Sequence, residues 1–165
     1  MLKTYFDYVY TFVPVLDRVD FVAKYESGSY SLFLLYAMLA TASLYAPRDV
    51  ISACGFNDRS VAQATFTSRA TLLYDFQFET DVLALLQGSV LLGTVIPDSP
   101  TDKDFHYWFF NSVRLAAKLG ICNMYVHIPP YPYRFSRLLI IIPDRAAAIG
   151  PNIQNCINEF TGCST

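Results

Sequence analysis

The stretch Ser29-Tyr30-Ser31-Leu32-Phe33-Leu34-Leu35-Tyr36-Ala37-Met38-Leu39-Ala40-Thr41-Ala42-Ser43-Leu44-Tyr45-Ala46 decides what kind of fold this chain can have. No charged residue occurs between Glu26 and Arg48, and about twenty uncharged residues suffice to cross a bilayer. The same run also suits a helix packed by protein on several sides, because a helix apolar all round is buried by neighbours as readily as by lipid. Two features favour protein. Ser29, Ser31, Thr41 and Ser43 interrupt the run, and its flanks lack the Lys/Arg asymmetry that sets membrane topology. The reading adopted is a core helix, with a small integral membrane protein carrying a helix at 29–46 as the alternative. A second uncharged run, Val82 to Pro97, is shorter and contains Gln87, Gly88, Ser89, Gly93 and Thr94.

Composition sharpens the problem. Of the 165 residues 53% are hydrophobic and only 16% charged, against roughly 25% charged in ordinary soluble domains. Nearly every apolar helix must therefore find a partner surface, and the expectation is an incomplete part of a larger helical domain. Expressed alone, such a piece should aggregate or bind hydrophobic dyes. A net charge of −2 with scattered Lys and Arg argues against a chain that grips nucleic acid by itself, since neutralising phosphates needs clustered cations. Cys54, Cys122, Cys156 and Cys163 are far apart and form no Cys-x-x-Cys pair, which argues against a zinc ligand set. The N-terminus has an early Asp7 and no uninterrupted apolar core, so no signal peptide is expected, and buried free thiols are the default reading.

Helices can be placed outward from the apolar run. Leu2, Tyr5, Phe6, Val9, Phe12 and Val13 recur at helical spacing, and Pro14 stops that segment. Val15 to Phe21 alternates in character but is too short to commit to a strand, and a connecting turn with a short helix fits it equally well. Ser27 or Ser29 is the expected N-cap of the long apolar helix, and Pro47 marks its end. Asp49 to Asn57 reads as a short helix and turn. Asp58 or Ser60 caps a helix to about Tyr74, with Val61, Ala62, Thr65, Phe66, Arg69, Leu72 and Leu73 along its inner face. An Arg inside such a face points to a nearby carboxylate or helix C-terminus, or to snorkelling. Asp81 opens the next helix, complementing its dipole.

Ser99-Pro100-Thr101-Asp102 supplies a Ser N-cap, a Pro at the first helical position and an early acid, and predicts the start of the next helix there. Its face is predicted as Phe105, Trp108, Phe109, Ser112, Val113, Ala116 and Leu119, with Lys103, Asn111, Arg114 and Lys118 largely off it. Gly120 closes it. Extended character is expected only near Tyr125 to Tyr133, where Pro129, Pro130 and Pro132 exclude a helix. The chain therefore reads as all-α, a multi-helix domain.

Chemistry-bearing patterns are sparse. His106 and His127 are the only candidate bases for a nucleophile, and Gly88-Ser89 lacks the second glycine and the setting of a nucleophile elbow, so it reads as small-residue helix packing. Glu79 and Asp81 could be paired carboxylates, but at a helix start they complement the dipole. No Gly-rich phosphate loop or His-Glu-x-x-His pattern occurs. No catalytic, metal or cofactor residue is assigned, and the chain is read as not an enzyme.

The order of segments carries more information than any one of them. Tyr5-Phe6 with Phe12 to Phe21, then Leu34 to Ala40, then Ala64 through Arg69-Ala70 and Leu72-Leu73, then Val82 to Gly88, and above all Ser112-Val113-Arg114-Leu115-Ala116-Ala117-Lys118-Leu119-Gly120-Ile121, follow one another as in a known family. The chain resembles the regulatory middle homology region, the fungal-specific transcription factor domain, of fungal zinc-cluster transcription factors. The resemblance is best over residues 5–121. It implies a nuclear, helical regulatory domain that controls DNA-templated transcription through proteins of the transcription machinery or a small effector, with a homodimer among the assemblies it allows.

After Ile121 the pattern departs from the family's. Residues 122–143 lack the expected basic stretch and tryptophan-rich helix, and only Asp144-Arg145 with Ala146 to Gly150 resembles the family's ending. The organisation expected is a partial regulatory domain over 1–150 and a tail over 151–165. The six-cysteine zinc domain of the family matches none of the four cysteines. Zinc and direct DNA contact are thus expected only through a domain outside these residues, and no cofactor is expected within them.

Overall fold

The computed structural model describes residues 1–97 and 100–121. Expectations for His127, Cys122, Cys156, Cys163, Ser99, the extended segment 125–133 and the ending at 144–150 lie outside the described residues. Those described form helices with no strand among them. In chain order these are α1 (Leu2–Thr4), continuing into a π-helical segment (Tyr5–Val9), α2 (Arg18–Glu26), α3 (Leu32–Ser43), α4 (Arg48–Ala53), α5 (Arg59–Asp75), α6 (Val82–Leu92) and α7 (Phe105–Lys118).

The apolar run is α3, and it lies at the centre. It packs along α5 on one side and α6 on another, with the N-terminal segment against it, while α7 covers α6. Phe33, Ala37, Met38 and Ala40 are wholly buried. Twelve residues of α-helix are about 18 Å long, well short of the roughly 30 Å of a hydrocarbon core. No helix among the described residues is long and apolar enough to cross a membrane. The membrane alternative is therefore not favoured; the hydropathy of 29–46 reflects burial by α5, α6 and the N-terminal segment.

Local chemistry fixes most boundaries. Asp17, Asp58 and Asp81 each accept backbone N–H bonds at the starts of α2, α5 and α6, satisfying donors the first turn leaves free. The cap of α3 is neither Ser27 nor Ser29 but Ser31, whose Oγ accepts from Leu34 N at 3.1 Å. Ser27 instead closes α2, its hydroxyl on Lys24 O. At the other end of α7, Gly120 takes φ +69°, with Gly120 N on Ala117 O and Ile121 N on Ala116 O. This is the paired closure that a left-handed residue permits. The end of α5 is built in the same way, with Gln77 N on Tyr74 O and Phe78 N on Leu73 O, but the left-handed position is held by Gln77 at φ +52°.

Besides the cap of α3, four expectations are corrected. The first segment is not a regular amphipathic α-helix: Tyr10 N bonds to Tyr5 O, a five-residue step that rephases the side chains so that Tyr5, Val9 and Val13 are buried while Phe12 is 65% exposed. The inner face of α5 is Ala62, Gln63, Phe66 and Ala70, rotated by about one residue, or 100°, from the predicted line. Alanines at 62 and 70 let α3 approach closely, and Val61, Leu72 and Arg69 are left outside. The helix predicted from Ser99 starts at Phe105, because Asp104 Oδ1 accepts from Tyr107 N and Lys103 is drawn away to Asp75. Cys54 is a free thiol but exposed, not buried, because it ends α4 beside the turn at Gly55.

Two tight places define the core. Gly88 of α6 faces the ring of Phe33, and a Cβ there would overlap it. Tyr5 is completely buried with no hydrogen-bond partner for its hydroxyl among the described residues; burial raises its pKa far above the ordinary phenol value. Helix propensity alone would make Gly88→Ala stabilising by about 1 kcal/mol, but overpacking costs about 1–3 kcal/mol. We expect net destabilisation, read as a lower urea midpoint. Tyr5→Phe removes an unsatisfied buried hydroxyl and should raise stability by up to about 1 kcal/mol, seen as a higher melting temperature.

Candidate functional site

Polar side chains gather where α5, α6 and α7 meet. Asn111 of α7 is buried. Its Nδ2 donates to Ser89 Oγ at 2.8 Å, and Ser89 Oγ donates to Leu85 O within α6. Its Oδ1 accepts from Tyr74 Oη at 2.8 Å and from Arg114 Nη2 at 2.7 Å. Arg114 also reaches Tyr74 Oη at 3.3 Å. One amide thus ties three helices together, which answers the desolvation that a buried amide would otherwise carry.

Around this amide the aromatic rings make a wall. Tyr74 meets Trp108 edge-on with centroids 5.2 Å apart, and Trp108 meets Phe33 at 6.4 Å. Lys103 pairs with Asp75 and lies over the rings of Tyr74 and Tyr107 at 5.6 and 5.5 Å, a placement that favours the ammonium. Burial, and after it the neighbouring Tyr74 hydroxyl, pushes the Tyr107 phenol up to about 12.

A cleft of about 270 Å³ opens on another side, between α2 and the starts of α3 and α6. Asp17, Asp20, Glu79 and Asp81 line it with Lys24, over a floor that includes Leu16, Phe21, Leu34 and Leu83. Lys24 pairs with Asp20 at 2.8 Å, and that bond raises the pKa of the lysine. Three helix N-termini converge here, capped by Asp17, Ser31 and Asp81, so a capping carboxylate complements two of the three positive helix ends and a hydroxyl caps the third.

The side chains weighed from sequence fall into place individually. Glu79 Oε1 accepts from Thr80 N and Asp81 N, each at 2.8 Å, and Asp81 caps α6, as a helix-start reading requires. Gly88 and Ser89 are the helix-packing pair, one against Phe33 and the other against Asn111. His106 is exposed beside Asp104 at 3.2 Å; the Tyr107 N–H, and after it His106, lowers the pKa of that carboxyl. Arg69 is exposed and lies over the Tyr36 ring at 5.7 Å, so the carboxylate or helix end expected of a buried Arg is replaced by stacking. The group missed from sequence is Asn111, placed off the inner face of α7. Its neighbour Ser112 was placed on that face, and a face one residue wider would have included it.

Asn111→Ala would remove the bonds from Tyr74, from Arg114 and to Ser89 at one stroke, leaving Ser89 only its bond to Leu85 O and Tyr74 only its contact with Arg114. We expect a loss of about 1–3 kcal/mol, with Asn111→Ala and Ser89→Ala non-additive in a double-mutant cycle followed by denaturant unfolding.

Known proteins place this helical assembly. Residues 2–122 match the family model described as fungal specific transcription factor domain. The chain is 54% identical over 123 residues to the fusaric acid cluster transcription factor FUB12 of Gibberella moniliformis, an overlap of 74% of this chain and 19% of that protein. The FUB12 of Fusarium oxysporum f. sp. lycopersici is 53% identical over the same coverage. Cutinase transcription factor 1 beta of Fusarium vanettenii is 32% identical over 73% of this chain and 14% of its own length. The chain thus spans about a fifth or less of the curated relatives it matches. No solved structure matches it. The matched residues run from the start of α1 to just past the closure at Gly120, and the chain belongs to the fungal-specific transcription factor domain family.

Proposed function

We propose that this chain acts as a regulatory and interaction module of a fungal transcription regulator, working in the nucleus through protein contacts or a small effector. The observation that carries the proposal is the family match over residues 2–122. The structure supports a non-catalytic role: Ser89, Asp81, Glu79 and Asn111 are committed to helix caps and interhelical bonds. With 12 Lys and Arg against 14 Asp and Glu in the whole chain, DNA contact is assigned to a separate zinc-cluster domain of the regulator. The relatives at 53–54% identity are named for the fusaric acid cluster, so genes of such a cluster are the first proposed targets.

The test is to tether the chain to a heterologous DNA-binding domain upstream of a reporter in a fungal host. Reporter output should differ from that of the DNA-binding domain alone, in either direction, and Gly88→Ala should weaken the difference. Unchanged output from a folded, nuclear fusion would count against the proposal.

A further inference from the structure

The connection from α5 to α6 reads Asp75-Phe76-Gln77-Phe78-Glu79-Thr80-Asp81; Asp75 is paired with Lys103, and Glu79 and Asp81 have no Lys or Arg within the connection. Phe76 and Phe78 are 80% and 65% exposed, and Leu72, one helical turn before Phe76, is half exposed. In the usual form of this helix ending the residue after the left-handed position folds back on the last turn. Phe78 stands out instead. The left-handed Gln77 between the two rings carries a backbone cost that glycine would avoid, so the turn presenting them is set by its two backbone bonds rather than by an easy residue.

Charge lies directly beside these rings. Glu79 and Asp81 continue the ridge into the cleft they share with Asp17, Asp20 and Lys24. Four carboxylates face one ammonium there, and three helix ends at about half a charge each do not cancel the remainder. Leu16, Phe21, Leu34 and Leu83 also line the cleft, which suits the methylene stem of a Lys or Arg whose head meets the carboxylates. Nucleic acid and anionic lipid would both be repelled by this surface.

We propose that the ridge Leu72-Phe76-Phe78, with the acidic cleft beside it, docks a basic amphipathic segment of a partner protein. The partner's apolar face closes over the two phenylalanines while its Lys or Arg side chains enter the cleft. The proposal rests on the reading that this chain works by protein contact, and names the surface and the chemistry of the partner.

The test uses the full 165-residue chain and a fluorescent peptide of leucine and lysine alone, spaced to give one apolar helical face. A leucine and glutamate peptide of the same pattern is the control. Anisotropy should show binding of the lysine peptide only, weakened by added salt. Phe76→Ser with Phe78→Ser should weaken it about tenfold or more, and Glu79→Gln about threefold at low salt, with helical circular dichroism unchanged. Equal binding of both peptides, or unchanged affinity in the double variant, overturns the proposal. So does a self-dimer, seen by sedimentation, that the double variant dissociates, since a second copy would then be the occupant. Loss of peptide binding with the tethered reporter still responding removes the ridge alone and leaves the functional reading standing.

Discussion

Three consecutive residues of α6 hold the described structure together. Gln87 donates from Nε2 to Val15 O at 2.8 Å, Gly88 lies against the Phe33 ring of α3, and Ser89 accepts from Asn111 of α7. Successive side chains on a helix point about 100° apart, so three neighbours address three directions at once. A helix used in this way cannot have a polar face of its own. That is the physical reason α6 carries no charge and yet contains Gln87, Gly88 and Ser89: each of these three answers one particular neighbour.

The same constraint explains the apolar character of α3. With α5 and α6 on two sides and the N-terminal segment against it, it has little surface left for charge, and its own polar residues turn inward on the backbone. Thr41 and Ser43 donate to carbonyls one turn earlier, which satisfies hydroxyls without an external partner. Composition that suggests a bilayer arises here from helix-on-helix packing.

How much of this could be read in advance varied with the kind of signal. The helix starts at Asp58 and Asp81 were legible, because one side chain and one N–H decide them, whereas the equally acidic caps Asp17 and Asp104 were not singled out by their surroundings. So was the stop at Gly120, which a single left-handed residue determines. The start of α7 was misplaced because Ser99-Pro100 is a local signal, whereas Lys103 answers to Asp75 and Tyr74, 28 and 29 residues earlier in the chain. The face of α5 was misphased because alanines at 62 and 70 mark close approach, and hydrophobicity ranks Val61 and Leu72 above them. The π-helical step at Tyr5 to Val9 leaves no mark in an apolar pattern that reads equally well with three-and-four spacing. At the polar cluster the packing role of Ser89 is legible from the small Gly88-Ser89 pair, but its partner Asn111 depends on the rotation of α7 about its axis, which the charged residues around it conceal.

The bond from Gln87 to Val15 joins positions 72 residues apart, and this separation has a consequence for how the chain can change. Closing a loop costs entropy that grows only with the logarithm of its length, about 0.6 kcal/mol for each doubling. Between these two positions the chain passes through exposed turns, at Cys54 to Gly55 and at Asn57 to Asp58. Residues inserted there lengthen a loop that is already long, and so hardly alter the entropy of bringing α6 back to the N-terminal segment. The closed arrangement of α3, α5 and α6 therefore tolerates growth at its turns far better than a change of one methyl group at Gly88.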